Sequence, residues 1–191
     1  MQRIIGPNDK YVLILFSGGV DSTACINYYK DQNFSIETIF IDYGQKSSNY
    51  EKKSAVNIAS YFGVPINCLV FKSNKTFSQG EIEGRNAFLV LAALLSYPDI
   101  NGSIAMGIHS GTPYYDCSDS FVKDINQILN GYTNGKVILS APFLKWDKKQ
   151  VYNYCRDNKL PIHLTYSCES GTARPCGKCL SCLDRGALLV S

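Results

Sequence analysis

The chain alternates short apolar runs with longer segments of mixed polarity. Five of the runs have the length and the β-branched content of buried strands. They lie at 11–16, 36–42, 66–71, 103–107 and 136–139. The segments between them predict helices near 20–31, 48–62, 84–97, 118–130 and 147–158. Strands that alternate with helices of this length predict an α/β fold with a parallel five-stranded sheet flanked by helices.

Three other segments stand out in the same pattern. The helix predicted at 84–97 is apolar over most of its length, which indicates a buried helix. The polar stretch 72–83 predicts a mobile loop, and the glycine-dotted tail 165–186 predicts irregular structure. With 191 residues we expect a single domain, 1–191, that includes this tail.

A polar loop with the sequence Ser-Gly-Gly-Val-Asp-Ser follows the first apolar run, at residues 17–22. A strand, a glycine-rich turn and a helix N-terminus direct backbone N–H groups at one point, which favours phosphate binding. Asp21 suits a Mg²⁺ ion that accompanies the phosphates; the alternative is a helix N-cap. A tight turn without a ligand is the alternative for the whole loop. The predicted nucleotide-binding residues are Phe16, Ser17, Gly18, Gly19, Val20, Asp21, Ser22 and Thr23.

The segments that follow two other predicted strands should border the same crevice. In parallel sheets, ligands bind beyond the carboxyl ends of the strands. Asp42, Tyr43 and Gln45 end the second strand, and Gly107 and His109 end the fourth. We therefore predict that they lie beside the phosphate loop, with His109 in contact with nucleotide, in proton transfer, or in a structural role.

Composition limits the class of protein. Hydrophobic residues make up 45% of the chain, enough for a sizeable core, and no apolar stretch is long enough to predict a membrane span. The N-terminus lacks the apolar segment of a signal peptide, so we expect a cytoplasmic protein. A net charge of +3 is too small to indicate nucleic-acid binding.

Four of the eight cysteines are clustered near the C-terminus, at Cys168, Cys176, Cys179 and Cys182. Two overlapping Cys-x-x-Cys pairs with a fourth thiol nearby suit tetrahedral Zn²⁺, and four thiolates close the site, which makes it structural. An iron–sulfur cluster is the main alternative, and unligated or redox-active cysteines are another. The predicted purpose of the metal is to fasten the tail over the active site.

The phosphate loop resembles that of the N-type ATP pyrophosphatases, and together with the four-cysteine run it resembles the QueC family, 7-cyano-7-deazaguanine synthase. The resemblance extends over nearly the whole chain. It includes Asp42-Tyr43-Gly44-Gln45, Gly84-Arg85-Asn86, Tyr115-Asp116-Cys117 and Lys148 downstream of Ala141-Pro142-Phe143.

The resemblance implies an ATP-dependent ligase that converts 7-carboxy-7-deazaguanine and ammonia into the nitrile. The carboxylate would attack the α-phosphate of ATP and release pyrophosphate, and ammonia would displace AMP from the acyl-adenylate to give the amide. A second ATP would adenylate the amide oxygen, and AMP would leave as the nitrile forms. Asp21, Arg85 and Lys148 would be catalytic; Arg85, Asn86, His109, Tyr115 and Asp116 would bind the deazapurine. The alternatives are a surface role for Arg85, a turn role for Asp116 and a solvated helix face for Lys148. Tyr114 and Tyr115 would stack on the base, with simple packing as the alternative. ATP, Mg²⁺ and Zn²⁺ are the expected cofactors, and a homodimer is implied.

The sequence also departs from the family pattern. Lys46 and Ser47 replace a basic residue and a histidine, and the segments before Arg85 and before Tyr115 are short. These departures leave open which amine accepts the acyl group. One alternative is a QueC-like enzyme of an anti-phage system that conjugates the deazaguanine to a protein amine. Others are an RNA-modifying ATP pyrophosphatase and a nucleotide-sensing subunit without turnover.

Overall fold

A computed structural model describes residues 10–189 except 73, 75, 76, 78, 79, 111 and 112. The strands are β1 (Tyr11–Leu15), β2 (Ser35–Asp42), β3 (Ile66–Val70), β4 (Gly102–Ala105) and β5 (Val137–Ser140). The helices are α1 (Val20–Lys30), α2 (Ser48–Phe62), α3 (Arg85–Ser96), α4 (Asp119–Thr133), α5 (Lys148–Asp157) and α6 (Leu180–Leu189). Tyr115–Cys117 and Ile162–Leu164 form single 3₁₀ turns.

The five strands form one parallel sheet in the order β3-β2-β1-β4-β5. The predicted α/β fold with a parallel five-stranded sheet is thus confirmed. The strand order changes direction at β1, because β2 lies on one side of it and β4 on the other. This is the position at which open parallel sheets bind ligands.

Both faces of the sheet are covered, so β1 is buried along its whole length. Val12 and Ile14 pack with residues of α1, α2 and α5 on one face. Leu13 and Leu15 pack with residues of α3 and α4 on the other. Successive side chains of a strand point to opposite faces, which places the two cores on either side of one apolar run.

Two predictions about the helices were wrong. The tail 165–186 is not irregular throughout, because α6 begins at Leu180. Helix α3 is not a buried helix: of its described side chains only Asn86, Val90 and Ala93 are buried, and Leu95 is 83% exposed. An apolar composition favours burial, but α3 lies on β1 and β4 with one face only, and Leu91 and Leu95 on its outer face are exposed among the described residues.

Several element ends differ by a residue or two from the prediction. Strand β4 ends at Ala105, so Gly107 lies in the loop beyond it. Five residues of the predicted mobile loop 72–83 lie outside the described residues. Within the part of the chain that the structure describes, no helix has the length and apolarity needed to cross a membrane.

Candidate nucleotide and substrate site

A cleft of about 610 Å³ lies beyond the carboxyl ends of β1, β2 and β4. Most of the predicted site residues line it. These are Phe16, Ser17, Gly19, Val20, Asp21, Ser22, Tyr43, Gln45, Arg85, Asn86, Gly107, His109 and Lys148. Five others do not line it: Gly18, Thr23, Asp42, Tyr115 and Asp116.

The loop at 17–22 is shaped by bonds to its own carbonyl groups. Thr23 Oγ1 and Ser22 Oγ donate to the Gly19 carbonyl oxygen at 2.7 and 3.2 Å. Ser54 Oγ on α2 donates to the Gly18 carbonyl oxygen at 2.8 Å. Because the Gly18 and Gly19 carbonyl oxygens accept these bonds, they turn away from the cleft, and the loop can present its N–H groups to the cleft. Thr23 and Gly18 therefore hold the shape of the loop and do not line the cleft.

Gly18 could not be another residue in this loop. It has a φ of +75°, and a Cβ on it would lie 2.6 Å from the Ala55 backbone nitrogen. Gly107 is equally constrained, because its Cβ would lie 2.7 Å from the carbonyl carbon of Asp21. The backbone beyond β4 thus contacts the first turn of α1 directly.

Asp21 and Lys148 form an ion pair across the cleft. Lys148 Nζ lies 2.6 Å from Asp21 Oδ2, and both side chains are only partly exposed. Asp21 Oδ1 is buried and has no hydrogen-bond partner among the described residues. A buried carboxylate oxygen without a partner is costly, and a cation at this position would satisfy it. The observed carboxylate therefore fits the predicted Mg²⁺ site.

His109 lies beside this ion pair. Burial lowers the pKa of its imidazole; Asp21 opposes that shift and Lys148 adds to it. A lowered pKa keeps the ring neutral near pH 7, where one ring nitrogen can accept a proton. His109 therefore meets the electrostatic requirement for proton transfer in the cleft.

The loop after β2 is organised around a carboxylate that sequence reasoning missed. Glu51 on α2 accepts hydrogen bonds from Ser47 Oγ at 2.7 Å and from Gln45 Nε2 at 2.9 Å. Gln45 Oε1 in turn accepts from the Tyr43 N–H at 2.9 Å. Burial raises the pKa of Glu51, and these two donors together with Arg85 oppose the rise. The Asp42 carboxylate accepts a hydrogen bond from the Gly44 N–H at 3.0 Å, and this bond holds the Asp42 side chain in its own loop, outside the cleft.

Arg85 and Asn86 begin helix α3 at the wall of the cleft. Arg85 Nε donates to Asn86 Oδ1, and Asn86 Nδ2 donates to the carbonyl oxygen of Asp116, both at 3.1 Å. Burial raises the pKa of Tyr43, and the positive charge of Arg85 opposes that shift, so the guanidinium lies near the Tyr43 ring.

The turn at Tyr115–Cys117 places its side chains differently from the prediction. The Tyr115 hydroxyl donates to Asp124 Oδ2 at 2.6 Å, and the ring is 56% exposed on the outer surface. Asp116 is buried behind the cleft wall. Tyr114 and Cys117 line the cleft instead. Only the direction of the turn decides which of two adjacent tyrosines faces inward, and the sequence did not indicate that direction.

The four clustered cysteines come together as predicted. The sulfur atoms of Cys168, Cys176, Cys179 and Cys182 all lie within 4.8 Å of one another. Four sulfurs bound tetrahedrally to one Zn²⁺ would be about 3.8 Å apart, so the cluster fits a single ion with little adjustment. The same four thiols also fit an iron–sulfur cluster.

Backbone N–H groups favour the thiolate form within this four-cysteine cluster. The Cys176 N–H donates to Cys168 Sγ at 3.3 Å, and those of Lys178 and Cys179 donate to Cys176 Sγ at 3.4 Å. Burial works against ionisation of Cys168, but bonds from Cys176, Ser170 and Thr172 outweigh it and lower its pKa to about 5. Such N–H···S bonds stabilise thiolate ligands around metals.

The cysteine segment is joined to the phosphate loop. The Tyr166 N–H donates to the Gly18 carbonyl oxygen at 3.1 Å, and Ser54 Oγ also bonds the Leu164 carbonyl oxygen. Arg185 on α6 donates to the carbonyl oxygens of Thr165 and Ile162. Through α6 the segment supplies part of the cleft wall, including Ser181 and Asp184.

The fold is that of the ATP pyrophosphatases and related enzymes. One solved structure with this fold is the U34-tRNA thiolase NcsA from Methanococcus maripaludis with its [4Fe-4S] cluster; it has a TM-score of 0.59 and 16% identity, over 95% of this chain and 64% of that one. Another is the NH3-dependent NAD synthetase from Campylobacter jejuni, with a TM-score of 0.51 and 14% identity, over 85% of this chain and 71% of that one.

The sequence places the chain more narrowly. The family model described as "Queuosine biosynthesis protein QueC" matches residues 11–80 and 71–190. A 7-cyano-7-deazaguanine synthase from Prochlorococcus marinus (strain MIT 9312) is 28% identical over 93% of this chain and 92% of its own length. One from Campylobacter jejuni (strain RM1221) is 27% identical over 92% of each. The chain belongs to the QueC family, which confirms the resemblance drawn from its motifs.

Proposed function

We propose that the protein is an ATP-dependent ligase that converts 7-carboxy-7-deazaguanine to 7-cyano-7-deazaguanine with ammonia. The observation that carries this proposal is the single cleft in which the loop 17–22, Lys148 and Arg85 meet in a member of the QueC family. The loop suits the phosphates of a nucleoside triphosphate, and the Arg85 guanidinium suits the carboxylate of the acid. A carboxylate oxygen is a poor leaving group, and adenylation makes it a good one, so ammonia would displace AMP and form the amide. A second ATP would adenylate the amide oxygen, and loss of AMP and a proton would give the nitrile.

ATP would bind with its phosphates at the loop and at the N-terminus of α1. The N–H groups there and Lys148 would stabilise the negative charge that grows on the departing pyrophosphate, which is the largest electrostatic demand of the step. Asp21 would hold Mg²⁺, and that ion would supply further charge stabilisation when bound. Lys148 already lies 2.6 Å from this carboxylate, within reach of the same phosphates.

The deazapurine acid would lie between Arg85 and Tyr114. A guanidinium offers two parallel N–H donors to a carboxylate, so Arg85 would orient the acid toward the α-phosphate. The Tyr114 ring would cover the base, because of the two tyrosines that could stack on it Tyr114 is the one that lines the cleft. His109, neutral because of its lowered pKa, would take the proton that the incoming amine must lose.

A metal at the four-cysteine cluster would be structural. Four thiolates complete a tetrahedral coordination sphere and leave no position for a substrate. We propose Zn²⁺ for this site, with an iron–sulfur cluster as the alternative. In either case Cys168, Cys176, Cys179 and Cys182 would hold the group, and it would fix α6 against the cleft.

The experiment is a direct assay of the products. Purified protein is incubated with MgATP, the deazapurine acid and ammonium chloride, and the mixture is analysed by mass spectrometry. AMP together with the amide or nitrile is expected, and no AMP should form when the acid is left out. Acid-dependent AMP that disappears in Asp21→Asn would tie the activity to this cleft. Absence of AMP and of both products in the complete mixture would refute the proposal.

A protein amine is the second candidate acceptor, and one observation favours it. The alignment with the Prochlorococcus synthase runs over 210 positions, whereas the whole chain has 191 residues, so this chain lacks residues that its relative has. Shorter loops beside Arg85 and Tyr114 would leave more room for a large acceptor. A candidate protein that gains the mass of the deazaguanine acyl group, while ammonia gives no product, would favour conjugation over nitrile synthesis.

A further inference from the structure

We propose that Asn86 is a positioning residue that acts through Arg85 and does not bind the substrate itself. The proposal rests on the proposed function, in which Arg85 receives the carboxylate of the deazapurine acid. Asn86 is the second residue of α3, and its side chain is 3% exposed. Although it borders the cleft, almost none of its surface is available to a ligand.

Both ends of the Asn86 amide are already engaged within the protein. Its oxygen accepts from Arg85 Nε at 3.1 Å, and its nitrogen donates to the Asp116 carbonyl oxygen at 3.1 Å. The amide therefore connects the guanidinium to the Tyr115–Cys117 turn. An amide that bridges two groups in this way fixes the direction of both.

The bond at Nε matters because of what it leaves free. A guanidinium carries five N–H donors, and it can bind a carboxylate either through Nε and one terminal nitrogen or through the two terminal nitrogens. Because Nε is bonded to Asn86, the terminal nitrogens are the pair left for a ligand, and Arg85 lines the cleft together with Tyr43. Without that bond the long side chain would sample several rotamers and bind the acid in fewer of them.

The other bond fixes the part of the cleft wall that carries Tyr114 and Cys117. The turn at Tyr115–Cys117 is held from outside by Ser118, whose hydroxyl donates to the Tyr115 carbonyl oxygen at 2.7 Å. From inside, the Asn86 amide is bonded to the next residue of the turn. Asn86 therefore sets the spacing between Arg85 and the segment that carries Tyr114, the two sides between which the acid would lie.

The contact can be tested without activity, by NMR of the arginine Nε–H groups in the intact protein. A slowly exchanging Nε–H signal that disappears in Arg85→Lys is expected in the wild type. It should be lost in Asn86→Leu and kept in Asn86→Asp, which retains the oxygen acceptor. A rapidly exchanging Arg85 Nε–H in the wild type, or its loss in Asn86→Asp, would overturn the proposal.

Kinetics then separate positioning from a general structural role. Asn86→Leu should raise the KM for the acid about tenfold, the cost of one hydrogen bond to a charged group, with a smaller change in kcat. The same substitution in an Arg85→Ala background should have no further effect on KM. An equal effect in both backgrounds would show that Asn86 does not act through Arg85.

Asn126→Leu is the matched control. Asn126 on α4 is also a bridging amide, since it donates to the Leu139 carbonyl oxygen and accepts from the Leu139 N–H. It does not line the cleft, so its loss should lower the melting temperature and leave both the KM and the Arg85 signal unchanged. If the wild type forms no AMP from the acid, the proposed function fails, and the Nε–H measurement still decides how Arg85 is held.

Discussion

Gly171 lies directly against the carbonyl group of Lys46. A Cβ on Gly171 would be 2.1 Å from the Lys46 oxygen and 2.6 Å from its carbon, and Gly171 has a φ of +65°. The segment that carries the four-cysteine cluster is thus docked, backbone to backbone, on the loop that follows β2. That loop also carries Tyr43 and Gln45 of the cleft. The four-cysteine cluster and the cleft are therefore connected by a close backbone contact.

The first prediction concerns this contact. Gly171→Ala should strongly destabilise the protein, because the new methyl group cannot be accommodated without separating two backbones. The positive φ alone costs about 1–2 kcal/mol, and the overlap adds about 1–3 kcal/mol. Thermal unfolding should show a clear fall in melting temperature, and ATP affinity should fall with it.

Gly63→Ala provides the matched comparison. Gly63 ends α2 with a φ of +67° and has nothing within 4 Å of its Cβ position, so it has the same backbone strain without the overlap. The Gly63 variant should lose only the smaller amount of stability and keep its ATP affinity. If the two alanine variants were equally stable, the docking of the cysteine segment on Lys46 would be disproved.

The second prediction concerns the metal. Fresh protein should contain about one zinc per chain, and removal of the ion by a chelator should release α6 and weaken ATP binding. Loss of the metal is expected to disturb the phosphate loop as well, because the N–H of Tyr166, two residues before Cys168, donates to the Gly18 carbonyl oxygen. Metal analysis and ATP titration before and after chelation would measure both effects.

Cysteine variants locate this effect on the chain. Cys179→Ser removes a buried thiol of the cluster and should cause loss of the metal. Cys68→Ser changes an exposed thiol of β3 and should leave the metal content unchanged. Iron and inorganic sulfide in place of zinc would instead support the iron–sulfur alternative.

The third prediction is a pH dependence of stability that arises from His109. Burial lowers its pKa below the usual 6.5, so the unfolded chain binds the proton first as the pH falls. Above about pH 7 both states are neutral, and this group contributes no pH dependence. Below pH 6.5 the wild type should progressively lose stability until the pKa of folded His109 is reached.

Chemical denaturation of His109→Asn and the wild type at a series of pH values would check this. The carboxylates titrate alike in both proteins, so the difference between the two curves isolates His109. That difference should be constant above about pH 7 and should change in favour of the variant as the pH falls toward about 5. A difference that does not vary with pH would contradict a depressed histidine pKa.

Much of this architecture could be predicted from local pattern. Strand β1 is a continuous apolar run because both faces of the sheet are covered, and the loop at 17–22 follows it directly. The spacing of the cysteines was enough to predict that four sulfurs would meet. Each of these features is encoded by neighbouring residues, so the physical reason for it is visible in the sequence.

Features that depend on contacts between distant parts of the chain could not be predicted from the sequence. Glu51 organises the loop after β2 through Gln45 and Ser47, yet on its own it looks like any acidic residue of an exposed helix turn. Tyr114 and Tyr115 are adjacent and chemically identical, and only the placement of the 3₁₀ turn against Asn86 decides which lines the cleft. Helix α6 was missed because its cysteine and glycine suggested only a metal loop.

The fourth prediction concerns the ion pair between Lys148 and Asp21. Lys148→Met keeps the length of the side chain and removes its charge, so the growing charge on pyrophosphate loses one donor; losses of this kind cost about a hundredfold in rate. We expect kcat for acid-dependent AMP formation to fall by about that factor, with a smaller change in ATP affinity. Lys149→Met is the control, because Lys149 is the next residue of α5 and is exposed outside the cleft. Lys149→Met should retain wild-type kinetics, because Lys149 would not contact the phosphates. It removes the same charge from α5 and so controls for a general loss of positive charge. Equal losses in the two variants would show that Lys148 contributes only to the field of the helix and not to a specific contact in the cleft.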